Sequence, residues 1–161
     1  EVASKFLSVF SEVYRYSLQH RDEELVTLDN ELYMIESYLF LLKKRFEDSF
    51  KATIEVSQEA RAKYVPPMSL QLLVENAFKH NIAEVANPLH ISIFVAGDVL
   101  VVENNLQLRK KKNPSIGIGL VNLSERYRLL NQPLPSIEKE GAIFRVSLPL
   151  LNIGAHEVIN N

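Results

Sequence analysis

The stretch PPMSLQLLVENAFKHN, residues 66–81, decides the fold of this chain because it predicts one helix with two different faces. The two prolines suit the first turn of a helix that runs to about Ile82. Apolar residues recur at helical spacing on one face, which predicts packing against a sheet: Leu70, Leu73, Val74 and Ala77. Asn76, Lys79 and His80 lie three and four positions apart, so they project together from another face.

The polar face of this helix supports two hypotheses. The Asn76 amide oxygen could hold a metal ion while Lys79 and His80 bind phosphate groups, with Glu75 beside the same edge. Alternatively, the face is solvated and carries a Glu75–Lys79 pair worth about 0.2–0.5 kcal/mol. Helix geometry alone favours the solvated face, since such pairs are common on surface helices.

A second segment, GIGLVNLSER at residues 117–126, predicts a helix that runs to about Asn131. Two glycines let a ligand approach the backbone, and the helix they open offers free N–H groups to a phosphate. The predicted buried stripe of this helix is Leu120, Leu123, Tyr127 and Leu130. An ordinary turn is the alternative, but two such segments with a strand pair between them favour a binding site.

Strands surround both segments. Alternating or apolar runs predict a single strand, a strand pair and a final hairpin that turns at Gly141: residues 51–57, 89–95 with 99–103, and 136–150. The order strand, helix, strand pair, helix, strand pair predicts an α+β fold, a two-layer sandwich with helices on one side of a mostly antiparallel sheet.

Two further helices precede this sandwich. The first opens the chain, and Asp29 and Asn30 are plausible caps for the second. The second helix has two apolar stripes: Leu32, Ile35, Leu39, Leu42 and Phe46 form one, and Met34, Tyr38 and Leu41 form the other. Two stripes predict cover on two sides, by its own domain and by another helix or a second copy. The predicted division is a helical segment at 1–48, a domain at 49–150 and a tail at 151–161.

Composition excludes several classes of protein. The 161 residues are 47% hydrophobic and 24% charged, and they contain no cysteine, which excludes a disulfide scaffold, a thiol nucleophile and a cysteine zinc site. A net charge of -2 gives no indication of nucleic acid as a partner. No apolar run approaches the roughly 18 residues of a membrane helix.

The two helical segments described above resemble motifs of a known protein family. Residues 72–80, LLVENAFKH, resemble the N box of the GHKL ATPases in the form found in LytS-type sensor histidine kinases, and residues 117–126 resemble the G2 box. Upstream, YRYSL at 14–18, LxxE at 28–31, IxxYL at 35–39 and KRF at 44–46 resemble the helices before that family's ATP domain. The resemblance extends to about residue 150.

This resemblance implies a Bergerat-type ATP site between sheet and helices. Asn76 would bind Mg²⁺ that bridges the phosphates, and Lys79 and His80 would line the phosphate side. Glu75 would be a catalytic residue, either base-like or supporting the metal-binding side chain from behind. Asn122 would stabilise the turn under the lid, and the backbone beside the phosphates would come from the glycine motif: Gly117, Ile118, Gly119 and Leu120. The chemistry would be in-line transfer of the γ-phosphoryl group to a histidine nitrogen.

One departure from the family concerns the G1 box, normally Asp-Asn-Gly after a strand. Strand alternation puts Asn104 at the Asp position, Asn105 at the Asn and Leu106 at the Gly. A slip of one residue would put Glu103 there instead. An Asn oxygen can still accept the adenine amino proton, but a neutral hydrogen bond is worth about 1 kcal/mol against roughly 1.5–3 for a charged one, so ATP would bind about tenfold more weakly.

A second departure is the acceptor histidine, which the resemblance puts upstream of residue 1. The four histidines present have no acceptor-like context: His20, His80, His90 and His156. The chain is therefore not expected to autophosphorylate alone. The resemblance implies a homodimeric parent, membrane-anchored through segments outside this chain, whose bacterial cytoplasmic portion passes phosphate to a response regulator. Lys110–Lys112 and Ser115 lie where the family has its ATP lid.

Three functional hypotheses follow. The leading one is the ATP-binding catalytic portion of a protein-histidine kinase. The alternative is a degenerate GHKL-fold module that no longer uses ATP and signals through dimer contacts. A chaperone- or topoisomerase-type GHKL ATPase is disfavoured by the leading helices and by Leu72, which stands where those ATPases keep a catalytic Glu.

Overall fold

A computed structural model of the chain describes residues 1–110 and 117–153. The described residues form five α-helices and seven strands, with a 3₁₀ turn at Glu47–Ser49. The helices are α1 Val2–Gln19, α2 Leu28–Phe46, α3 Gln58–Arg61, α4 Ser69–His80 and α5 Ile118–Leu129. The strands are β1 Val26–Thr27, β2 Phe50–Glu55, β3 Tyr64–Val65, β4 Leu89–Ala96, β5 Val99–Asn105, β6 Ser136–Glu140 and β7 Ile143–Pro149.

Five strands form one sheet in the order β2-β4-β5-β7-β6. The β2–β4 pair is parallel, and the three other pairs are antiparallel. Side chains from α2, α4 and α5 share one apolar core with alternate residues of the strands. The predicted α+β two-layer sandwich is therefore confirmed. Its physical basis is that a sheet with one apolar face buries that face under amphipathic helices.

The two stripes of α2 contact two different partners. Leu32, Ile35 and Leu42 belong to the core beneath the sheet. Met34 and Leu41 instead form a small cluster with Val13 of α1. Sequence periodicity thus predicted both faces, and α2 connects α1 to the sandwich.

Aromatic packing joins the end of α2 to the sheet and to α4. The Phe46 and Phe78 rings stack with centroids 4.7 Å apart, and Phe50 of β2 meets Phe78 edge-on at 5.1 Å. Aromatic pairs of this kind add about 0.5–1.5 kcal/mol each beyond the area they bury. The domain boundary predicted at residues 48 and 49 stays a prediction, while α2 itself packs into the core of the sandwich.

Two helix starts differ from the sequence prediction. Thr27 caps α2, since its side chain accepts a hydrogen bond from the Asn30 N–H at 3.2 Å, so Asp29 and Asn30 lie inside the first turn. The helix predicted from Pro66 begins at Ser69, after Met68 in a left-handed conformation with φ 66°. The two prolines therefore precede α4 instead of forming its first turn.

Three short elements were not predicted from the sequence: β1 just before α2, and α3 and β3 between α2 and α4. Strands β1 and β3 pair antiparallel, and Tyr64 of β3 also pairs with Leu151, which is buried. A four-residue helix, α3, lies between β2 and β3 and is capped by Ser57. Such elements are too short for periodicity to indicate them.

Candidate functional site

The helix α4 carries most of the predicted site, and its inner face is buried in the core. Leu70, Leu73 and Val74 are at most 3% exposed. Asn76 and His80 are half-buried, and Glu75 and Lys79 are exposed. The polar stripe predicted from the sequence therefore lies at the edge of the core where solvent reaches it, and Asn76 makes no side-chain hydrogen bond with the described residues.

The N-terminal end of α4 is held by a buried carboxylate from α2. Glu31 is fully buried, and its Oε1 accepts a hydrogen bond from the Ser69 N–H at 3.2 Å. The Ser69 hydroxyl donates to the Pro66 carbonyl at 2.6 Å. A negative group at a helix N-terminus pairs with free N–H groups and with the positive end of the helix dipole.

The C-terminal end of α4 is tied to the chain that follows β5. Asn81 donates through Nδ2 to the Ala77 carbonyl at 2.9 Å, and its Oδ1 accepts from the Gln107 N–H at 2.8 Å. Arg109 donates through Nε to the Asn81 carbonyl at 3.0 Å and through a guanidinium nitrogen to the Phe78 carbonyl at 3.3 Å. These contacts satisfy the last carbonyls of the helix and fix its end beside the predicted lid.

Cationic side chains gather around His80. Burial lowers the pKa of His80 from its usual 6.5, and the positive charges of Lys79 and Lys139 lower that pKa further. Lys139 comes from the edge strand β6, so it approaches from the sheet. His80 is consequently a neutral imidazole at pH 7, next to two cations suited to a polyanion.

Glu75 is oriented by neighbours on two helices. Its Oε1 accepts a hydrogen bond from the Tyr38 hydroxyl of α2 at 3.2 Å and from Gln71 Nε2 at 2.9 Å. Burial, and then the nearby Glu75 charge, raises the pKa of Tyr38. The hydroxyl therefore remains a donor, and the carboxylate is held in one orientation.

The end of β5 separates Asn104 from Glu103. Asn104 is 6% exposed and lies on the same face of β5 as Leu100 and Val102, which belong to the core under the helices. Glu103 lies on the opposite face, where its Oε2 accepts from Arg145 Nε at 2.8 Å. Strand alternation thus brings Asn104, and not Glu103, to the helix-covered side of the sheet.

The Asn105 side chain makes two hydrogen bonds that hold neighbouring strands together. Its Oδ1 accepts from the His90 N–H at 2.7 Å, and its Nδ2 donates to the Pro88 carbonyl at 3.1 Å. The side chain thus fixes the start of β4 against the end of β5. Its predicted contact with a nucleotide stays a prediction and competes with these two hydrogen bonds.

The glycine motif opens α5 as the sequence predicted. Gly117 precedes the helix with φ 100°, and a Cβ there would meet no atom of the described residues within 4 Å. Gly119 allows close packing of α5 on α4, because a Cβ at this position would lie 3.2 Å from Leu72 Cδ1. Ile118 and Asn122 are exposed, and Leu120 packs against the core.

Several contributors to the site were missed in the sequence. Glu31, Asn81, Arg109 and Lys139 all act through distant backbone or charge contacts, which periodicity does not indicate. The position of Asn81 directly after a predicted helix was a possible signal for a cap. Predictions that involve Lys111, Lys112, Ser115 and His156 lie outside the described residues.

The described part of the chain contains neither a cluster of metal ligands nor a membrane-spanning helix. Within 1–110 and 117–153, no group of three or more His, Cys, Asp or Glu side chains could hold a metal ion. No helix in these ranges is both long enough and apolar enough to cross a bilayer.

Known proteins with similar sequences are sensor kinases. The family model described as histidine kinase matches residues 1–50. Sensor protein LytS of Enterococcus faecalis is 30% identical over 142 residues, which cover 78% of this chain and 24% of that protein. Sensor histidine kinase BtsS of Escherichia coli is 29% identical over 132 residues, covering 80% of this chain and 23% of that protein. The chain therefore spans about a quarter of the length of these curated relatives.

Solved structures agree on the fold. The histidine kinase AdeS of Acinetobacter baumannii is 14% identical with a TM-score of 0.52, over 94% of this chain and 80% of that chain. A structure described as a bacterial phosphotransferase is 11% identical with a TM-score of 0.52, over 87% of this chain and 71% of that chain. The sequence relatives show that this chain is homologous to sensor histidine kinases of the LytS type, and the solved structures share its fold.

Proposed function

We propose that this chain is the ATP-binding catalytic portion of a two-component sensor histidine kinase. It would transfer the γ-phosphoryl group of ATP to a histidine nitrogen upstream of residue 1, releasing ADP, and the phosphoryl group would pass from there to a response regulator. The observation that carries the proposal is the solvent-reachable stripe of Asn76, Lys79 and His80 on a helix fixed at both ends. Function at this level rests on the site and on family membership together.

The residues present fit magnesium and a nucleotide. Asn76 offers an amide oxygen that makes no hydrogen bond with the described residues, and amide oxygens are good ligands for Mg²⁺. Lys79, together with Lys139 near His80, offers positive charge to phosphates. Asn104 lies on the helix side of the sheet, where its Oδ1 would accept the adenine amino proton.

Bound Mg²⁺ would supply neutralisation of phosphate charge during the transfer. The residues of the chain would do the positioning: Asn76 would hold the metal, Lys79 and His80 would orient the phosphates, and Glu75 would act as the base-like residue. Glu75 is suited to this part because Tyr38 and Gln71 already fix its carboxylate. Positioning of reactants is the main catalytic contribution in phosphoryl transfer.

Thermal unfolding with Mg·ATP and with a non-hydrolysable analogue tests the proposal. Ligand at about 100 times its dissociation constant should add roughly 2.7 kcal/mol of stability, a shift of a few degrees. We expect the shift to need Mg²⁺ and to disappear in Asn76→Ala. Asn152→Ala, at an exposed position after the sheet, is the matched control and should keep the shift. No shift at millimolar nucleotide would support the degenerate module that signals without ATP.

We also propose that α1 joins two copies of the protein. Val13 is the buried residue of α1, and its neighbours Val9 and Tyr16 pack on the same cluster. The opposite side bears a second apolar stripe, with Leu7 63%, Phe10 55% and Tyr14 61% exposed. A helix that is apolar on both sides favours a second partner, and a second copy fits a homodimeric kinase.

Light scattering across a concentration series tests the dimer. Phe10→Glu should shift the population to monomer because it puts a charge in the centre of the apolar stripe. Arg15→Glu, on an exposed polar position of the same helix, is the control and should leave the oligomeric state unchanged. A wild-type chain that stays monomeric at hundreds of micromolar would contradict this use of α1.

A further inference from the structure

A polar cluster centred on the buried Glu31 side chain lies beneath the first turn of α4. We call it the Glu31 cluster; its members come from four helices: Tyr16 of α1, Glu31 of α2, Ser69 of α4, and Arg126 and Tyr127 of α5. Glu31 is central, since it accepts the Ser69 N–H and interacts electrostatically with Tyr16, Arg126 and Tyr127. The cluster therefore joins both leading helices to both helices of the candidate site.

Burial of the Glu31 carboxyl group lowers the stability of the fold. Glu31 is 0% exposed, and its Oε2 and the Tyr16 hydroxyl have no hydrogen-bond partner among the described residues. Burial raises the pKa of Glu31 to about 7, although the Ser69 and Met68 amides and the Arg126 charge lower it. A buried acid with an unpartnered oxygen weakens a fold that a neutral side chain would stabilise, and such groups concentrate at functional sites.

We propose that Glu31 is a positioning residue for the nucleotide site, whose ionised side chain holds the first turn of α4 and so sets the position of Asn76. The inference rests on the proposed function, because Asn76 is the residue that would bind the metal. Glu31 would act only through α4 and would touch neither nucleotide nor phosphate.

The geometry explains how the effect would travel. Asn76 lies seven residues after Ser69, which is two turns of an α-helix, so both are on one rigid rod. The ionised carboxylate attracts the N–H groups and the positive dipole end of that rod, and the protonated acid attracts them less. Arg126 reinforces the same spot, because its guanidinium also donates to the Pro67 carbonyl at 2.7 Å.

Other charged groups face the cluster and enter any pH dependence. Glu23, in the loop after α1, acts on Tyr16, and Arg126 acts on Glu31 itself. Tyr16 and Tyr127 have raised pKa values, caused first by burial and then by the Glu31 charge, so both stay neutral near pH 7. Burial and the charges of Lys79 and Lys139 lower the pKa of His80 at the far end of α4, and the comparison of variants must cancel the titration of this group.

The test compares the wild-type chain with Glu31→Gln, which keeps the size and one acceptor but cannot ionise. The dissociation constant of Mg·ATP is measured for both between pH 6 and 8. The quotient of the two constants at each pH cancels the titration of His80 and of the nucleotide. We expect the Mg·ATP affinity of wild type, relative to that of Glu31→Gln, to rise by about threefold or more between pH 6 and pH 8. Glu36→Gln, an exposed position on the same helix, should follow wild type.

A second measurement separates this inference from the proposed function. The side-chain amide signals of Asn76 are followed by NMR over the same pH range without nucleotide. We expect a titration with a midpoint near 7 that is absent in Glu31→Gln. If nothing binds Mg·ATP while this titration is seen, the proposed function fails and the positioning contact stands. A quotient independent of pH, or Asn76 signals that titrate alike in both proteins, would overturn the inference.

Discussion

Helices α4 and α5 flank the same candidate site, yet the protein holds them in different ways. In α4, six residues are buried, and both ends are hydrogen-bonded to other elements. In α5, Leu123 and Tyr127 are the buried residues, and the anchors are in its second half, at Arg126 and Tyr127. The first turn of α5 is open by contrast, with Ile118 61% and Val121 67% exposed.

This difference assigns different energetic roles to the two sides of the site. The side formed by α4 is part of the core, so a change there alters stability and ligand binding together. The first turn of α5 adds little to the core, so a change there can alter binding while the fold remains stable. Measured stabilities of matched variants on the two helices can break or sharpen this contrast.

The largest difference is expected for one pair of leucines. Leu70→Ala in α4 removes a side chain that is 0% exposed and should cost about 2–5 kcal/mol, through lost burial and the cavity left behind. Leu129→Ala in α5 removes a side chain that is 68% exposed and should change stability by about 0.5 kcal/mol or less. Urea unfolding at fixed pH measures both, and equal losses would remove the contrast between the helices.

The Glu31 contact at the start of α4 predicts that the free energy of unfolding depends on pH. The pKa of Glu31 rises from 4.5 to about 7 on folding, chiefly through burial, so the folded state holds its proton more tightly than the unfolded chain. The stability contribution is therefore full below pH 4.5 and is lost as pH rises through 7. Over that window the loss is on the order of 3 kcal/mol.

Glu31→Gln lacks this titration and should be more stable than wild type at pH 8, with the difference shrinking towards pH 5. Urea midpoints at the two pH values measure it, and Glu36→Gln serves as the exposed control on the same helix. If wild type and Glu31→Gln lose stability in parallel between pH 5 and pH 8, Glu31 does not titrate in that range.

Sequence periodicity predicted the parts of the fold that depend on alternation. The stripes of α2 and α5, the strand pair at Gly97 and the hairpin at Gly141 follow directly from it. Both turn glycines have positive φ, at 62° and 57°, which few other residues adopt. Local patterns of this kind need no knowledge of distant contacts.

The contacts that hold the site depend on distant residues and were not predictable. The Glu31 contact with Ser69 spans 38 positions, and the Arg126 contact with Pro67 spans 59. The polar stripe on α4 was correctly placed at a solvent-reachable edge, but a sequence pattern does not tell which buried carboxyl lies beneath that helix. The motif indicated where the candidate site lies, and tertiary contacts decide which residues support that helix.

The anchor in the second half of α5 predicts a smaller loss of stability. Tyr127→Phe removes the hydroxyl that donates to the Pro149 carbonyl at 2.9 Å, which should cost about 1 kcal/mol. Tyr33→Phe in α2 is the matched control, since Tyr33 is 65% exposed and should be neutral. Thermal unfolding of both variants measures the difference, and a neutral Tyr127→Phe would mean that packing alone holds this end of α5.

The smallest predicted effect separates the two glycines at the start of α5. Gly117→Ala forces a side chain into a backbone with φ 100°, and this should cost about 1 kcal/mol although the added Cβ would meet no described residue within 4 Å. Gly119→Ala has the opposite balance. Its helical backbone gains up to about 1 kcal/mol of propensity, while the new Cβ presses on Leu72 at 3.2 Å.

Because Leu72 is a flexible side chain that is only partly buried, it can yield by a few tenths of an ångström, and Gly119→Ala should cost less than Gly117→Ala. Urea unfolding of both variants gives the order. The reverse order would mean that α5 cannot relax against α4, and then the first turn of α5 would be held as firmly as the helix it packs on. The order therefore decides whether the contrast between the two helices extends to their shared contact.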